Sequence, residues 1–186
     1  MATLISGLGG GSGYGEQSFK TTGGYSGNLD DGSKSVDLTP VFGAGGVNVY
    51  GTSYTSMFIN TNGLVTFGSA EPSYTPGALT GLGKPSLAAF WTDIDINKGG
   101  DIYWDVDDAT GKITITWLNV APYSGTGTTS FQMVLTNLGG GDFGVDYIYG
   151  NIGFTNGGYG QATVGLSNGT SSQTLIEGSG NAAFLA

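Results

Sequence analysis

The chain has 186 residues, a formal charge of −9 and only five cationic side chains, all of them lysine. Nucleic-acid binding and attraction to anionic lipids depend on clustered lysine and arginine, so we exclude both classes of partner. The chain also lacks cysteine and histidine, which removes disulfides, zinc sites built on these residues, Ser-His-Asp triads and Cys-His pairs. No stretch approaches the ~20 apolar residues of a membrane helix, and we predict no membrane insertion.

The sequence contains 37 glycines, which separate short runs of Val, Ile, Phe, Tyr and Trp. Such a pattern is typical of many short strands joined by turns. We predict a Gly/Ser-rich lead-in over residues 1–27 and a single globular domain over residues 28–186. Within the domain, the first predicted strands are residues 36–42 and 47–50.

The next segment predicts a β-hairpin. Residues 54–59 and 64–67 are rich in apolar side chains and flank the dipeptide Asn62-Gly63. This dipeptide supplies the positive φ that a tight hairpin turn needs. A long connection with three prolines covers residues 69–86, and residues 87–96 are the next predicted strand.

The clearest pattern is strict alternation of apolar and polar side chains in residues 102–106 and 113–117, on either side of a turn at 107–112. An antiparallel sheet that covers a core is expected to have one apolar face and one solvent-exposed face. The alternation places Trp104 and Trp117 on the apolar face, and we predict that they are buried, as is Trp91.

Later strands are predicted at residues 130–136, 145–149, 162–167 and 174–177. No window has the 3.6-residue periodicity of a helix. The sequence therefore predicts an all-β fold, an antiparallel β-sandwich of about nine to eleven short strands.

A series of motifs follows in order along residues 28–170: LDDGS at 29–33, VDL at 36–38, YTSMFINTNGLVTFG at 54–68, LAAFWTDID at 87–95, GDIYW at 100–104, ITITW at 113–117, FQMVL at 131–135 and GQATVGLS at 160–167. Together they resemble the nidogen-like (NIDO) extracellular domain. The resemblance implies an adhesion or matrix-type module of a larger secreted or cell-surface protein, such as a bacterial adhesin. It brings no catalytic residue to this chain.

An array of oxygen donors follows the strand at 87–96. The candidate metal ligands are Asp93, Asp95, Asn97 and Asp101. Alternating oxygen donors around a glycine-rich bend are able to wrap Ca²⁺, which takes six to eight oxygens. The match to a calcium loop is partial, because Lys98 stands where glycine is wanted. The alternative is a polar turn in which Asp93 and Asp95 accept hydrogen bonds from local backbone amides.

Asp30 and Asp31 have two similar interpretations. They either add oxygen ligands to the same ion or to another ion, or they form a turn with Gly32. A glycosidase would need only two carboxylates, which an acidic sandwich is able to supply, but no pair stands out in the sequence. We therefore predict that the chain is not an enzyme.

The remaining candidate binding residues are tyrosines in Gly/Ser/Pro-rich loops: Tyr14, Tyr25, Tyr74, Tyr123 and Tyr159. Their rings either stack on sugars and protein partners or fold back over the core.

The sequence thus predicts a non-catalytic extracellular or cell-surface module that binds a protein or glycan partner, with Ca²⁺ as a candidate stabilising ion. Two alternatives stay open. One is a structural spacer without a ligand of its own, and the other is a carbohydrate-active enzyme that uses two carboxylates.

Overall fold

The computed structural model describes residues 2–185 and contains two antiparallel sheets that pack against each other, plus a two-stranded ribbon. In chain order the strands are β1 (Gln17–Ser18), β2 (Ser33–Asp37), β3 (Val47–Val49), β4 (Thr52–Tyr54), β5 (Ser56–Asn60), β6 (Leu64–Thr66), β7 (Ser86–Trp91), β8 (Asp101–Asp107), β9 (Lys112–Val120), β10 (Thr129–Gly139), β11 (Asp142–Ile152), β12 (Thr163–Ser167) and β13 (Gln173–Leu175). The predicted antiparallel β-sandwich is confirmed.

The first sheet has the order β1-β8-β9-β10-β11, and the second has the order β13-β12-β7-β6-β5-β2. The strands β3 and β4 pair with each other and with no other strand in residues 2–185. Helical structure in the described residues is limited to short turns: α1 (Phe19–Thr22), α2 (Thr39–Phe42), a 3-10 turn (Leu79–Leu82) and α3 (Ala182–Leu185). None of these described helices has the length and apolar character needed to cross a membrane.

The core lies between the two sheets and is rich in aromatic rings. Trp117 from β9 is fully buried and stacks on Phe131 from β10, with ring centroids 4.9 Å apart and planes at 12°. The Trp117 indole N–H donates to the backbone carbonyl of Thr61 at 3.2 Å, which joins the first sheet to the β5–β6 hairpin. Trp91 and Trp104 are also buried, so the prediction for all three tryptophans is confirmed.

The clearest sequence pattern gave an accurate strand pair. Strands β8 and β9 pair in antiparallel register, with Trp104 opposite Ile115 and Ile102 opposite Trp117. The hairpin turn at Asn62-Gly63 is also present, and Gly63 has a φ of 84°. A side chain at Gly63 would additionally collide with the Phe90 carbonyl oxygen, since a Cβ there would lie 2.1 Å from it.

The prediction of a strand over residues 36–42 was wrong after Asp37, because residues Thr39–Phe42 form the helical turn α2. Pro40 lies in the first turn of that helix, where its fixed φ suits helical backbone and its missing N–H costs nothing. The Asp37 carboxylate accepts a hydrogen bond from the Thr39 N–H at 2.9 Å and directs the chain into the turn.

The strand predicted over residues 87–96 ends at Trp91. Residues 2–185 contain thirteen strands, against the predicted nine to eleven, and β1 and β4 had no counterpart in the sequence analysis. Both are two or three residues long, which is too short to establish an alternating pattern.

The N-terminal residues lie along the sandwich. Gln132 of β10 is fully buried, and its side-chain amide exchanges hydrogen bonds of 2.7 and 2.8 Å with the backbone of Ile5. Phe19 is fully buried in the core, where its ring stacks on Tyr25 at 5.8 Å. Residues from the predicted lead-in therefore contribute contacts to both the outside of a sheet and the core.

Candidate functional site: an acidic pocket with a tyrosine rim

Loops from five places in the chain enclose a pocket of about 140 Å³. We call it the acidic pocket, and its lining residues are Asp30, Asp31, Asp93, Tyr74, Tyr123 and Tyr159. One carboxylate oxygen from each of the three aspartates lies within 4.8 Å of the others. The pocket therefore combines concentrated negative charge with aromatic rings.

Asp30 and Asp31 are positioned by local hydrogen bonds just before β2. The Asn28 side-chain oxygen accepts from the N–H groups of both aspartates at 2.7 Å, an arrangement that fixes the backbone in an Asx turn. The Thr61 hydroxyl donates to the Asp30 carbonyl and accepts from the Gly32 N–H at 3.0 Å. The β5–β6 turn thus holds the acidic loop in place.

Asp93 follows β7, and only 2% of its surface is exposed. Its backbone carbonyl accepts a hydrogen bond from the Tyr123 N–H at 3.1 Å. On the other side, Gly157 packs so closely that a Cβ there would lie 1.9 Å from the Asp93 carbonyl oxygen. The Gly157 N–H donates to the Thr92 hydroxyl at 2.8 Å. The backbone of Asp93 is therefore held from two directions.

Asn62 joins the acidic loop to the segment that contains Asp93. It is 1% exposed, its side-chain N–H donates to an Asp31 carboxylate oxygen at 2.9 Å, and its side-chain oxygen accepts from the Ile94 N–H at 2.8 Å. The buried Asn62 amide therefore forms hydrogen bonds through both its nitrogen and its oxygen, and it orients the Asp31 carboxylate. The sequence analysis had assigned Asn62 only to a turn.

The electrostatic environment of the pocket favours protonated carboxyl groups. Burial raises the pKa of Asp93 to about 7, and the neighbouring charges of Asp30 and Asp31 add to the effect. Burial likewise raises the pKa of Asp30 to about 6, with further contributions from Asp95 and Asp31. Lys98 acts in the opposite direction on both groups but does not offset these effects.

These pKa values predict that the metal-free domain loses stability as the pH rises. Asp30 and Asp93 keep their protons in the folded state up to about pH 6 and 7, whereas an unfolded chain releases them near pH 4. The folded state binds more protons in that window, so the free energy of unfolding falls between about pH 4 and 7. Thermal melts in a chelating buffer should give a lower Tm at pH 8 than at pH 5.

The control for this prediction is Asp93→Asn, which removes the larger of the two pKa shifts and should flatten the pH dependence. Asp37 and Asp107, whose pKa values are lowered by hydrogen bonds to Thr39 and Thr110, titrate below this window and do not contribute between pH 5 and 8. A Tm that rises from pH 5 to 8 in the wild-type domain would contradict the prediction.

Tyr74, Tyr123 and Tyr159 form what we call the tyrosine rim. Tyr159 is in contact with both others, with ring centroids 4.9 Å from Tyr74 and 6.4 Å from Tyr123. In chain order, the three side chains are 41, 42 and 54% exposed. Of the loop tyrosines, Tyr25 instead folds onto the core, as the alternative interpretation expected.

The four residues of the predicted calcium loop have different surroundings in the structure. Asp93 lies in the acidic pocket, whereas Asp95 accepts hydrogen bonds from the Asn97 backbone and side chain, both at 2.9 Å. The Lys98 ammonium is 3.6 Å from Asp95. Asp101 begins β8, where it accepts from the Ile102 N–H at 2.8 Å. Calcium binding by this set stays a prediction.

A second, larger cavity of about 350 Å³ lies between the sheets, beside Phe90, Tyr149, Val164 and Ile176. Its walls are mostly apolar, and Glu177 is the one carboxylate among them. The acidic pocket is the stronger candidate because it gathers carboxylates, exposed aromatic rings and raised pKa values in one place.

A family model described as NIDO related matches residues 19–185 of the chain. The chain belongs to the NIDO-related family. The resemblance read from the ordered motifs is thereby confirmed. The match covers every strand of the two sheets except β1, and it covers all of the residues that line the acidic pocket.

Curated relatives of this NIDO-related domain are much longer proteins. Alpha-tectorin of Mus musculus is 30% identical over 159 residues, and alpha-tectorin of Homo sapiens is 31% identical over the same length; each comparison covers 69% of this chain and 7% of the relative. Dendrite extension defective protein 1 of Caenorhabditis elegans is 28% identical over 156 residues, which is 69% of this chain and 13% of that protein. No solved structure matches the chain.

These relatives are extracellular matrix proteins, and the kinship supports an extracellular matrix-type module and an extracellular location. That the chain is not an enzyme stays a prediction. The bacterial adhesin stays a prediction.

Proposed function

We propose that this NIDO-related domain is a non-catalytic recognition module of an extracellular matrix-type protein, and that it binds a protein or glycan partner through the tyrosine rim. The observation that carries the proposal is the clustering of Tyr74, Tyr123 and Tyr159, which are 41–54% exposed beside three carboxylates.

Tyrosine is suited to recognition because its ring supplies a large, rigid contact area at a low cost in side-chain entropy. The rings stack on sugars or fill pockets of a protein partner, while the hydroxyl groups remain available for hydrogen bonds. The rim loops are also anchored: the Tyr123 N–H binds the Asp93 carbonyl at 3.1 Å, and the Ser124 N–H binds the Gly157 carbonyl at 2.7 Å. Such anchoring reduces the ordering cost of binding.

The proposal is tested by screening the domain against a glycan array and a panel of purified extracellular matrix proteins, with and without calcium. Tyr159, which contacts both other rings of the rim, is the residue to replace. We expect Tyr159→Ala to weaken binding of any captured partner by at least about tenfold, the effect of losing a central aromatic contact.

Tyr50→Ala is the matched control, because Tyr50 is an equally exposed tyrosine (50%) outside the acidic pocket. Equal losses of binding in the two variants would contradict a role for the tyrosine rim. An array and panel that both stay blank, with and without calcium, would instead favour the structural spacer. Release of reducing sugar from a polysaccharide panel would favour the carbohydrate-active enzyme.

A further inference from the structure

The acidic pocket contains a buried carboxylate that has no partner among the residues that the structure describes. Asp93 is 2% exposed, and among residues 2–185 no hydrogen-bond donor or lysine lies within bonding distance of its carboxylate. This side chain lines the pocket and directs one oxygen toward Asp30 and Asp31. Burying a carboxylate without a counter-charge or hydrogen bonds is costly, so the position calls for a cation.

The Asp30 carboxylate in the same pocket also contributes an unpaired oxygen. One Asp30 carboxylate oxygen is inaccessible to solvent and has no hydrogen-bond partner in the described part of the chain. The nearby ammonium of Lys98 does not serve these groups, because it contacts the Asp95 carboxylate and lies 4.2 Å above the Tyr123 ring. Three carboxylates therefore converge, and no ammonium group in residues 2–185 forms an ion pair with them.

We propose that Asp30, Asp31 and Asp93 form a calcium site at the floor of the acidic pocket. Two oxygens bound to one Ca²⁺ at about 2.3–2.6 Å lie no more than about 5 Å apart. The three carboxylate oxygens, all within 4.8 Å of one another, meet this requirement. Water entering from the open side of the pocket would complete the coordination.

The donor set favours Ca²⁺ over other divalent ions. It consists of oxygen alone, which suits hard cations and not zinc or copper. Mg²⁺ demands near-ideal octahedral geometry at about 2.0–2.1 Å and is usually held by one or two protein carboxylates. Ca²⁺ accepts three carboxylates in irregular geometry. Asn62 supports the site as an outer-shell residue, since its buried side chain orients the Asp31 carboxylate.

Tb³⁺ is a suitable probe because it takes oxygen ligands like those of Ca²⁺ and its luminescence is sensitised by nearby tyrosine rings. The tyrosine rim belongs to the same pocket as the three carboxylates. We expect saturable Tb³⁺ luminescence in the wild-type domain that Ca²⁺ displaces, and a rise in Tm when Ca²⁺ is added to the chelated protein.

Charge-matched variants locate the ion. Asp93→Asn and Asp31→Asn should weaken Ca²⁺ competition at least tenfold and abolish the rise in Tm, while Asp142→Asn, at an exposed position in β11, should leave both unchanged. Asp93→Asn removes a buried charge, so it is expected to fold, which circular dichroism in chelator checks.

Two results would overturn the proposal. The first is the absence of saturable Tb³⁺ binding in the wild-type domain. An Asp142→Asn variant that loses as much Ca²⁺ competition as Asp93→Asn would count in the same way, because it would indicate diffuse attraction of cations to an acidic surface. The second is a loss of binding in Asp95→Asn and Asp101→Asn while Asp31→Asn binds normally, which would place the ion in the contiguous loop of residues 93–101. Because no partner is used, failure here is distinct from failure of the proposed recognition function.

Discussion

Replacing Trp117 with alanine is expected to lower the free energy of unfolding by ~3–5 kcal/mol, the range for deleting a large aromatic side chain from a core. Trp117 is fully buried and stacks on Phe131 at 4.9 Å. Its removal would leave a cavity between the sheets and deprive the Thr61 carbonyl of the indole N–H that it accepts at 3.2 Å. Chemical denaturation followed by circular dichroism measures the loss.

Two further variants make the test of Trp117 selective. Trp117→Phe keeps an aromatic ring but loses the indole donor, and we expect a smaller loss of ~1–3 kcal/mol from the unpaired carbonyl. Leu138→Ala, at a side chain that is 66% exposed, should change stability by less than ~0.5 kcal/mol. If Trp117→Ala cost under ~1 kcal/mol, the packing between the sheets would be weaker than described.

Replacing Gly157 with alanine is expected to cost ~1–3 kcal/mol and to disrupt the acidic pocket. The added Cβ would lie 1.9 Å from the Asp93 carbonyl oxygen and 2.6 Å from its carbon. These are backbone atoms, so the collision cannot be relieved by rotating a side chain. The Asp93 segment must shift instead, and we expect both a lower Tm and weaker Tb³⁺ binding.

Gly45→Ala is the matched control for Gly157→Ala. No atom lies within 4 Å of a Cβ at Gly45, and its φ is outside the left-handed region. This substitution should be neutral or should stabilise the domain by ~0.4–1 kcal/mol, because alanine restricts the unfolded chain. A Gly157→Ala domain with wild-type Tm and Tb³⁺ binding would show that the two segments are not held as closely as described.

The fold was largely predictable because most strands carry a local pattern. The alternation in β8 and β9 places Ile102, Trp104, Ile113, Ile115 and Trp117 on one face, and all five are buried. Where the prediction was wrong, local geometry competed with hydrophobicity. The apolar run after Asp37 reads as a strand, but Pro40 and the bond from Asp37 to the Thr39 N–H favour a helical turn.

The site was less predictable, because the sequence orders residues by their position in the chain and not by their position in space. Asp93 was recognised as a candidate ligand, but it was grouped with acidic residues a few positions away. The structure brings it close to Asp30 and Asp31, for which the sequence offered a metal role only as one of two alternatives. Only strand pairing makes this contact visible: β2 pairs with β5, and β6 with β7, so the loops before β2 and after β7 meet beside Asn62. Gly157 gave no sequence signal, since its role depends on one close approach across the fold.

The wide spacing of the pocket residues along the chain has a thermodynamic consequence. A contiguous ion-binding loop retains its ligands as neighbours in the denatured chain, whereas Asp31, Asp93 and Tyr159 meet only after both sheets have assembled. Any molecule held at this place therefore has almost no affinity for the denatured ensemble. Its full binding free energy is added to the cooperative stability of the native domain, and occupancy reports that the chain is intact and completely folded.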